Sequence, residues 1–175
     1  MSWPKISIDG RECNLCHLDP IVLNVTPKAE GAPTFRVRVS FGCHTFTRDL
    51  QDDDPEDHHF RHDGEERCLC PQRYALSKRL PELITADIGR VYFSYDGYLL
   101  GYELDGLASP YAVVFKLSKA KASGFDVAMF VVTAHEKAVM PARAPAITFA
   151  TLISKTATGK RVTRPSERNT SWIKK

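Results

Sequence analysis

The segment RVRVSFGCHTFTRDL, residues 36–50, runs an alternating strand pattern directly into a histidine, a threonine, an aromatic residue and an arginine. Alternation places Val37, Val39 and Phe41 on one face, and His44, Thr47 and Arg48 follow at the mouth of the strand. An imidazole there can take or give a proton near neutral pH, and a guanidinium can neutralise phosphate charge. That is the composition of a metal-independent phosphodiester-cleaving site, and equally of an ordinary strand end with its arginine in solvent. In FVVTAHEK, Thr133 and His135 are two residues apart and share one strand face. A hydroxyl and an imidazole so placed suit transition-state hydrogen bonding and proton transfer, or the polar face of an outer strand. SKTATGKRVTR interleaves Ser154, Lys155, Thr156, Thr158, Lys160, Arg161 and Arg164, a mixture that binds phosphate backbones or forms a solvated tail.

Metal-ligating residues also occur. CNLC (Cys13, Cys16) and CLC (Cys68, Cys70) could supply two thiolate pairs to a tetrahedral zinc ion, with Cys43 and His44 as further ligands. Against this, the C-x-C spacing is less typical, no glycine knuckle follows either pair, and reduced buried thiols explain the same residues. In DDDPEDHHFRHD, His58, His59 and His62 stand among six acids, a mixed carboxylate and imidazole set, but on a stretch with little preorganisation. The expectation is therefore no metal and no cofactor.

The elements that must position these groups follow from patterning. ISIDGRECNLCHL and PIVLNVTP read as short strands before a turn at KAEGAP and a long strand over 34–47. Residues 49–66 hold nine acids and one base with almost no apolar side chains, and are expected to form an exposed loop. CPQRYALSKRLPELITADIG carries Leu76, Leu80, Leu83 and Ile84 on one helical face, with Pro81 predicting a kink or two short helices. RVYFSY, GYLLGYEL, YAVVFKLS and DVAMFVVTAH then have period two, separated by turn residues, which predicts an antiparallel meander; ITFATLISK is expected as an edge strand.

These elements predict an α+β fold: an antiparallel sheet of four to five strands, a packed amphipathic helix and a β-rich N-terminal extension. One domain over 1–154 is expected, made of a β-rich part (1–48), an acidic loop (49–66) and a helix plus meander (67–154), followed by a basic tail over 155–175. The tail holds seven bases and one acid, whereas the whole chain of 175 residues has a net charge of only +3. No apolar run approaches the roughly 20 residues of a membrane helix. The N-terminal MSWPKISIDG lacks the basic and apolar stretches of an export signal, and the five cysteines are an odd number, so a cytoplasmic protein without a disulfide framework is expected.

HHFRHDGEE followed by RYALSKRLPELI, GRVYFSYDGYLLGYEL, YAVVFKLSKAK and DVAMFVVTAHEK resembles the layout of barnase/EndoU/colicin/RelE-like ribonucleases of the phage-associated type. FGCHTFTR and RCLCPQRYALSKRLPELI are similar to proteobacterial proteins labelled stationary-phase growth adaptation proteins, for which a toxin role is suggested. Together these similarities touch roughly residues 36 to 137. They imply a toxin-type endoribonuclease that cleaves RNA through its 2′-hydroxyl, with a cognate protein antitoxin as partner and no membrane association. Carried over residue by residue, the implied site is His44, Thr47 and Arg48 on the early strand, Arg73, Tyr74 and Ser77 on the helix, and Thr133 and His135 on the late strand. His44 would be the base and His135 or His62 the acid, while Arg48 and Arg73 hold the phosphate. The β-rich N-terminal third has no counterpart in the minimal fold of that superfamily. The other reading is a non-enzymatic module that binds nucleic acid or protein through the basic tail and the strand ends.

Overall fold

The computed structural model describes residues 3–95, 97–138, 140 and 144–164. The α+β class expected from the patterning is present. A hairpin of β1 (Ile6–Ile8) and β2 (Arg11–Cys13) leads to β3 (Ile21–Val25) and the long β4 (Phe35–His44). Next come β5 (Thr47–Asp49), β6 (His59–His62) and β7 (Glu65–Leu69), then two short helices, α1 (Pro71–Ser77) and α2 (Leu80–Thr85). The chain continues through β8 (Arg90–Ser94), β9 (Gly97–Tyr102), β10 (Tyr111–Lys119) and β11 (Val127–Glu136), and closes with β12 (Ala146–Thr148) and α3 (Phe149–Ala157).

The meander β8-β9-β10-β11 forms as its period-two pattern predicts, and it is the middle of a larger sheet ordered β12-β8-β9-β10-β11-β4-β3. The β4 strand lies parallel to β11, with Val37 opposite Val127 and Phe41 opposite Val131. The N-terminal third thus contributes β3 and β4 to the main sheet, while β1 and β2 pair only with each other. Val37, Val39, Phe41, Phe115, Val127, Met129 and Val131 bury one sheet face with Phe149, Leu152 and Ile153 of α3 in a single apolar core. Buried, close-packed side chains of this kind are the chief stabilising contribution.

Two expectations need correction. ITFATLISK gives only Ile147 and Thr148 to an edge strand and then turns into α3, because the Thr148 hydroxyl accepts from the Thr151 backbone N–H as an N-cap. Phe149, Leu152 and Ile153 then recur at helical spacing on the buried side. The acidic stretch 49–66 is not a loop throughout: β5, β7 and β6 form a separate three-stranded sheet. Its hairpin turns on Asp63 and Gly64, both with positive φ (49° and 84°), the two-residue geometry that Asp-Gly favours. The few apolar groups are concentrated: Phe46, fully buried, meets Trp3 and Phe60 edge-on at 5.2 and 5.3 Å. Pro81, as expected, separates two helices by occupying the first turn of α2. The last eleven residues of the basic tail, with Trp172 and Ile173, lie outside the described residues.

Gly97 opens β9 at φ 149°, where a Cβ would stand 2.5 Å from the Phe115 carbonyl oxygen of β10. Gly97→Ala is expected to lose about 1–3 kcal/mol, read as a lower urea midpoint at unchanged slope. An unchanged midpoint would show that this close approach does not constrain the sheet.

Candidate functional site

The outer face of β4 and β11, opposite α3, is the floor of a cleft of about 620 Å³. Arg38, Ser40, Gly42 and His44 alternate along β4, while Ala128, Phe130 and Val132 follow β11. The walls come from Trp3, Pro4, Leu18 and Pro20 of the N-terminal segment and from His62, Asp63 and Glu65 at the β6-β7 turn. Gly42 is required in the floor because a Cβ there would lie 2.9 Å from the Phe130 ring and 3.1 Å from the Val132 carbonyl oxygen.

At one end of this cleft His44 Nε2 and Glu65 Oε2 are 2.9 Å apart. That hydrogen bond holds the Glu65 carboxyl below its ordinary pKa. Glu65 stands directly opposite His62 across the Asp63-Gly64 turn, so one tight turn delivers both side chains to the cleft. The His62 ring packs on Trp3 with centroids 4.8 Å apart. Arg38 lines the same cleft, exposed, its guanidinium without a hydrogen-bond or ion-pair partner among the described residues.

The strand end itself is a corner. After His44 the chain turns through Thr45 and Phe46, leaves the seven-stranded sheet and enters β5, so His44, Thr47 and Arg48 do not share one strand. Thr47 is fully buried, donates to the Cys43 carbonyl (2.8 Å) and accepts from Arg67 Nε (2.8 Å), which leaves it no reach to a substrate. Arg48 forms a two-pronged pair with Asp54, which lowers the Asp54 carboxyl well below the usual range. It braces residues 49–54 and does not enter the cleft lining. Arg73 donates through Nη1 to the carbonyls of Thr47 (2.6 Å) and His44 (3.2 Å), supporting the corner from behind. Thr133 donates to the same His44 carbonyl (3.3 Å) and its hydroxyl lies 3.3 Å from His135 Nδ1. The expected pairing of Thr133 with His135 is present, but neither residue lines the cleft.

On the helix, the Tyr74 hydroxyl donates to the Asn14 carbonyl (3.2 Å), and Ser77 is fully buried between the Tyr74 carbonyl and His17 Nε2, both at 2.8 Å. Both residues hold the N-terminal segment in place and take no part in the cleft. Lys155 lies on α3, on the other side of the sheet, and Lys160, Arg161 and Arg164 follow it as exposed groups. The cysteine arrangement considered for zinc does not assemble. Among the described residues Cys13, Cys16, Cys68 and Cys70 join no group of three ligating side chains, whereas Cys43, His44 and Glu65 do. Burial and a hydrogen bond with Asp54 push the Cys68 thiol up to about 11. Glu65 and Arg38 were not singled out by sequence. The signal for Glu65 was the Asp63-Gly64 pair, a hairpin cue within a stretch whose acidic composition suggested a loop.

A family model matches residues 5–157, from the first strand to the end of α3. The chain belongs to the YjaZ family. Comparison with curated proteins and with solved structures returned no match. The family match covers the corner, the β6-β7 turn and the meander alike, and with them every residue of the cleft lining except Trp3 and Pro4. No helix among the described residues is long and apolar enough to cross a membrane.

The His135 imidazole is lowered from its usual pKa by burial and then by the Arg73 charge. Above the unfolded value near 6.5 both states are neutral and the shift has no effect. As pH falls through that value the unfolded chain gains its proton first, so stability falls toward the folded pKa. Urea midpoints at pH 7.5 and 5.5 are expected to differ less in His135→Gln than in the wild type; an equal difference would remove His135 from the acid sensitivity.

Proposed function

We propose that the cleft is an acid–base site for RNA and that the chain is a toxin-type endoribonuclease acting without a metal. The observation that carries this reading is the His44–Glu65 hydrogen bond at the end of a cleft that also contains His62 and Arg38, whose guanidinium is unpaired among the described residues. With Nε2 held by the carboxylate, Nδ1 of His44 is the nitrogen left to accept a proton, the tautomer a general base needs. His44 would remove the 2′-hydroxyl proton as O2′ attacks phosphorus. The P–O5′ bond then breaks, His62 protonates the departing O5′, and a 2′,3′-cyclic phosphate and a 5′-hydroxyl end remain. Arg38 would meet the phosphate oxygens as charge develops. Trp3 and Phe130 supply aromatic surface in the same cleft for unstacked bases, and Phe130 is 44% exposed. His62 takes the acid role in preference to His135 because it lines the cleft. The toxin assignment and a protein antitoxin rest on the ribonuclease resemblance of the sequence, and action in the cytoplasm on five cysteines that form no disulfide framework.

His44→Ala is expected to lower RNA cleavage by about 10²–10⁴-fold, the range of a general acid–base group, and to relieve growth arrest on induction while the thermal midpoint stays near wild type. Glu65→Gln is expected to lie between the two. A fully active His44→Ala protein would take His44 out of the mechanism, and intact RNA in cells expressing the wild type would remove the ribonuclease reading.

The exposed Lys160, Arg161 and Arg164 favour a second reading, a nucleic-acid- or protein-binding module that uses its tail. Because α3 runs to Ala157, the chain must be cut after Gly159 for the helix to remain. If the cleft does the chemistry, this truncation keeps turnover on short RNA and lowers only the salt dependence of binding. A module that binds through the tail loses its affinity altogether.

A further inference from the structure

Cys43 has no part in the acid–base reading, yet it lines the same cleft next to His44. Its sulfur, a ring nitrogen of His44 and a carboxylate oxygen of Glu65 all lie within 4.8 Å of one another. A thiolate, an imidazole and a carboxylate with cleft space at a fourth position match the donors and the open coordination of a zinc site. Zinc bonds of about 2.0–2.3 Å set tetrahedral ligand atoms roughly 3.4–3.6 Å apart. The 2.9 Å contact between His44 and Glu65 must therefore open slightly, and the wider separations must close by at most a little over an ångström. Glu65 sits at a hairpin end with its side chain 59% exposed, so torsions can supply that movement. Arg67 is the nearby cation, 3.9 Å from the Glu65 carboxylate, but its hydrogen bonds go to Thr47 and Asp49, leaving the carboxylate lone pairs available.

We propose that Cys43, His44 and Glu65 bind a divalent metal of the zinc class in the wall of the cleft. The metal takes the His44 imidazole out of proton transfer, a consequence that rests on the acid–base reading above. Such an ion would act as an inhibitor of the site and not as its catalyst.

Titration of the reduced full-length chain with Co²⁺ tests the ligand set, because a thiolate-to-cobalt charge-transfer band reports sulfur ligation whether or not RNA is cut. The band is expected in the wild type and in Cys68→Ser, lost in Cys43→Ser and abolished by added Zn²⁺. Glu65→Gln, on an exposed side chain that leaves the core intact, should weaken Co²⁺ binding by more than about tenfold, the lower end of what even an outer-shell partner is worth to a metal site. No band in the wild type, or a band that survives in Cys43→Ser, would overturn the site. Zn²⁺ should also suppress cleavage by the wild type and not by Cys43→Ser. Full cleavage with zinc bound would overturn the inhibitory role, while absence of any cleavage counts against the acid–base reading and leaves the cobalt band to decide the site.

Discussion

The structure depends on how one strand changes sheets. Between His44 and Thr47 the chain leaves the seven-stranded sheet for the three-stranded one, and a corner of that kind exposes carbonyls that neither ladder can satisfy. One guanidinium group meets the need and a second braces the turn. Arg73 takes the carbonyls of His44 and Thr47, and the buried Arg67 takes the Thr47 hydroxyl and the Asp49 carboxylate. Burying a charge as Arg67 is buried is tolerable only when the charge is paired and hydrogen-bonded. The corner thus fixes the backbone of His44, and Thr133 adds a donor to the same carbonyl from the neighbouring strand. The roles expected for Arg73, Thr47 and Thr133 at a substrate are replaced by roles in holding the backbone of His44 at the end of the cleft.

This substitution shows what the sequence could and could not convey. The period-two runs of residues 90–136 were legible because each strand carries its own alternation, and Pro81 announced the helix break by its missing N–H. The parallel pairing of β4 with β11 was not legible, since it joins Val37 to Val127 with no local signal. Composition misled over 49–66. Nine acids there suggested a solvated loop, whereas Asp49 and Asp54 are paired with Arg67 and Arg48, and a single Asp-Gly turn creates a hairpin. Types of residue were recognisable, but partners were not: arginine on a strand reads as a phosphate ligand until the carboxylate that occupies it is known.

The same pairing bears on whether an anionic substrate could approach. A run of free carboxylates beside the cleft would repel phosphate, but Glu65 is engaged by His44, Asp63 lies 3.5 Å from His62, and Asp49 and Asp54 are held by arginines. At the cleft itself the cationic side is represented by Arg38. Local charge, not the charge of the segment, sets the potential an approaching ligand feels within a Debye length of about 8 Å.

His44 is the point at which the two proposals exclude each other. An imidazole whose Nε2 is held by a carboxylate keeps Nδ1 as a proton acceptor, but the same ring, once it coordinates a metal beside Cys43, has that lone-pair chemistry constrained by the ion. A cysteine next to His44 has no part in the acid–base reading, and burial pushes its thiol above the ordinary value. It does have a use if the base must be silenced. On these two proposals, placing the soft ligand on the residue before His44 would tie affinity for the ion to loss of the proton acceptor, so that occupancy by metal and turnover of RNA would be alternatives within one cleft.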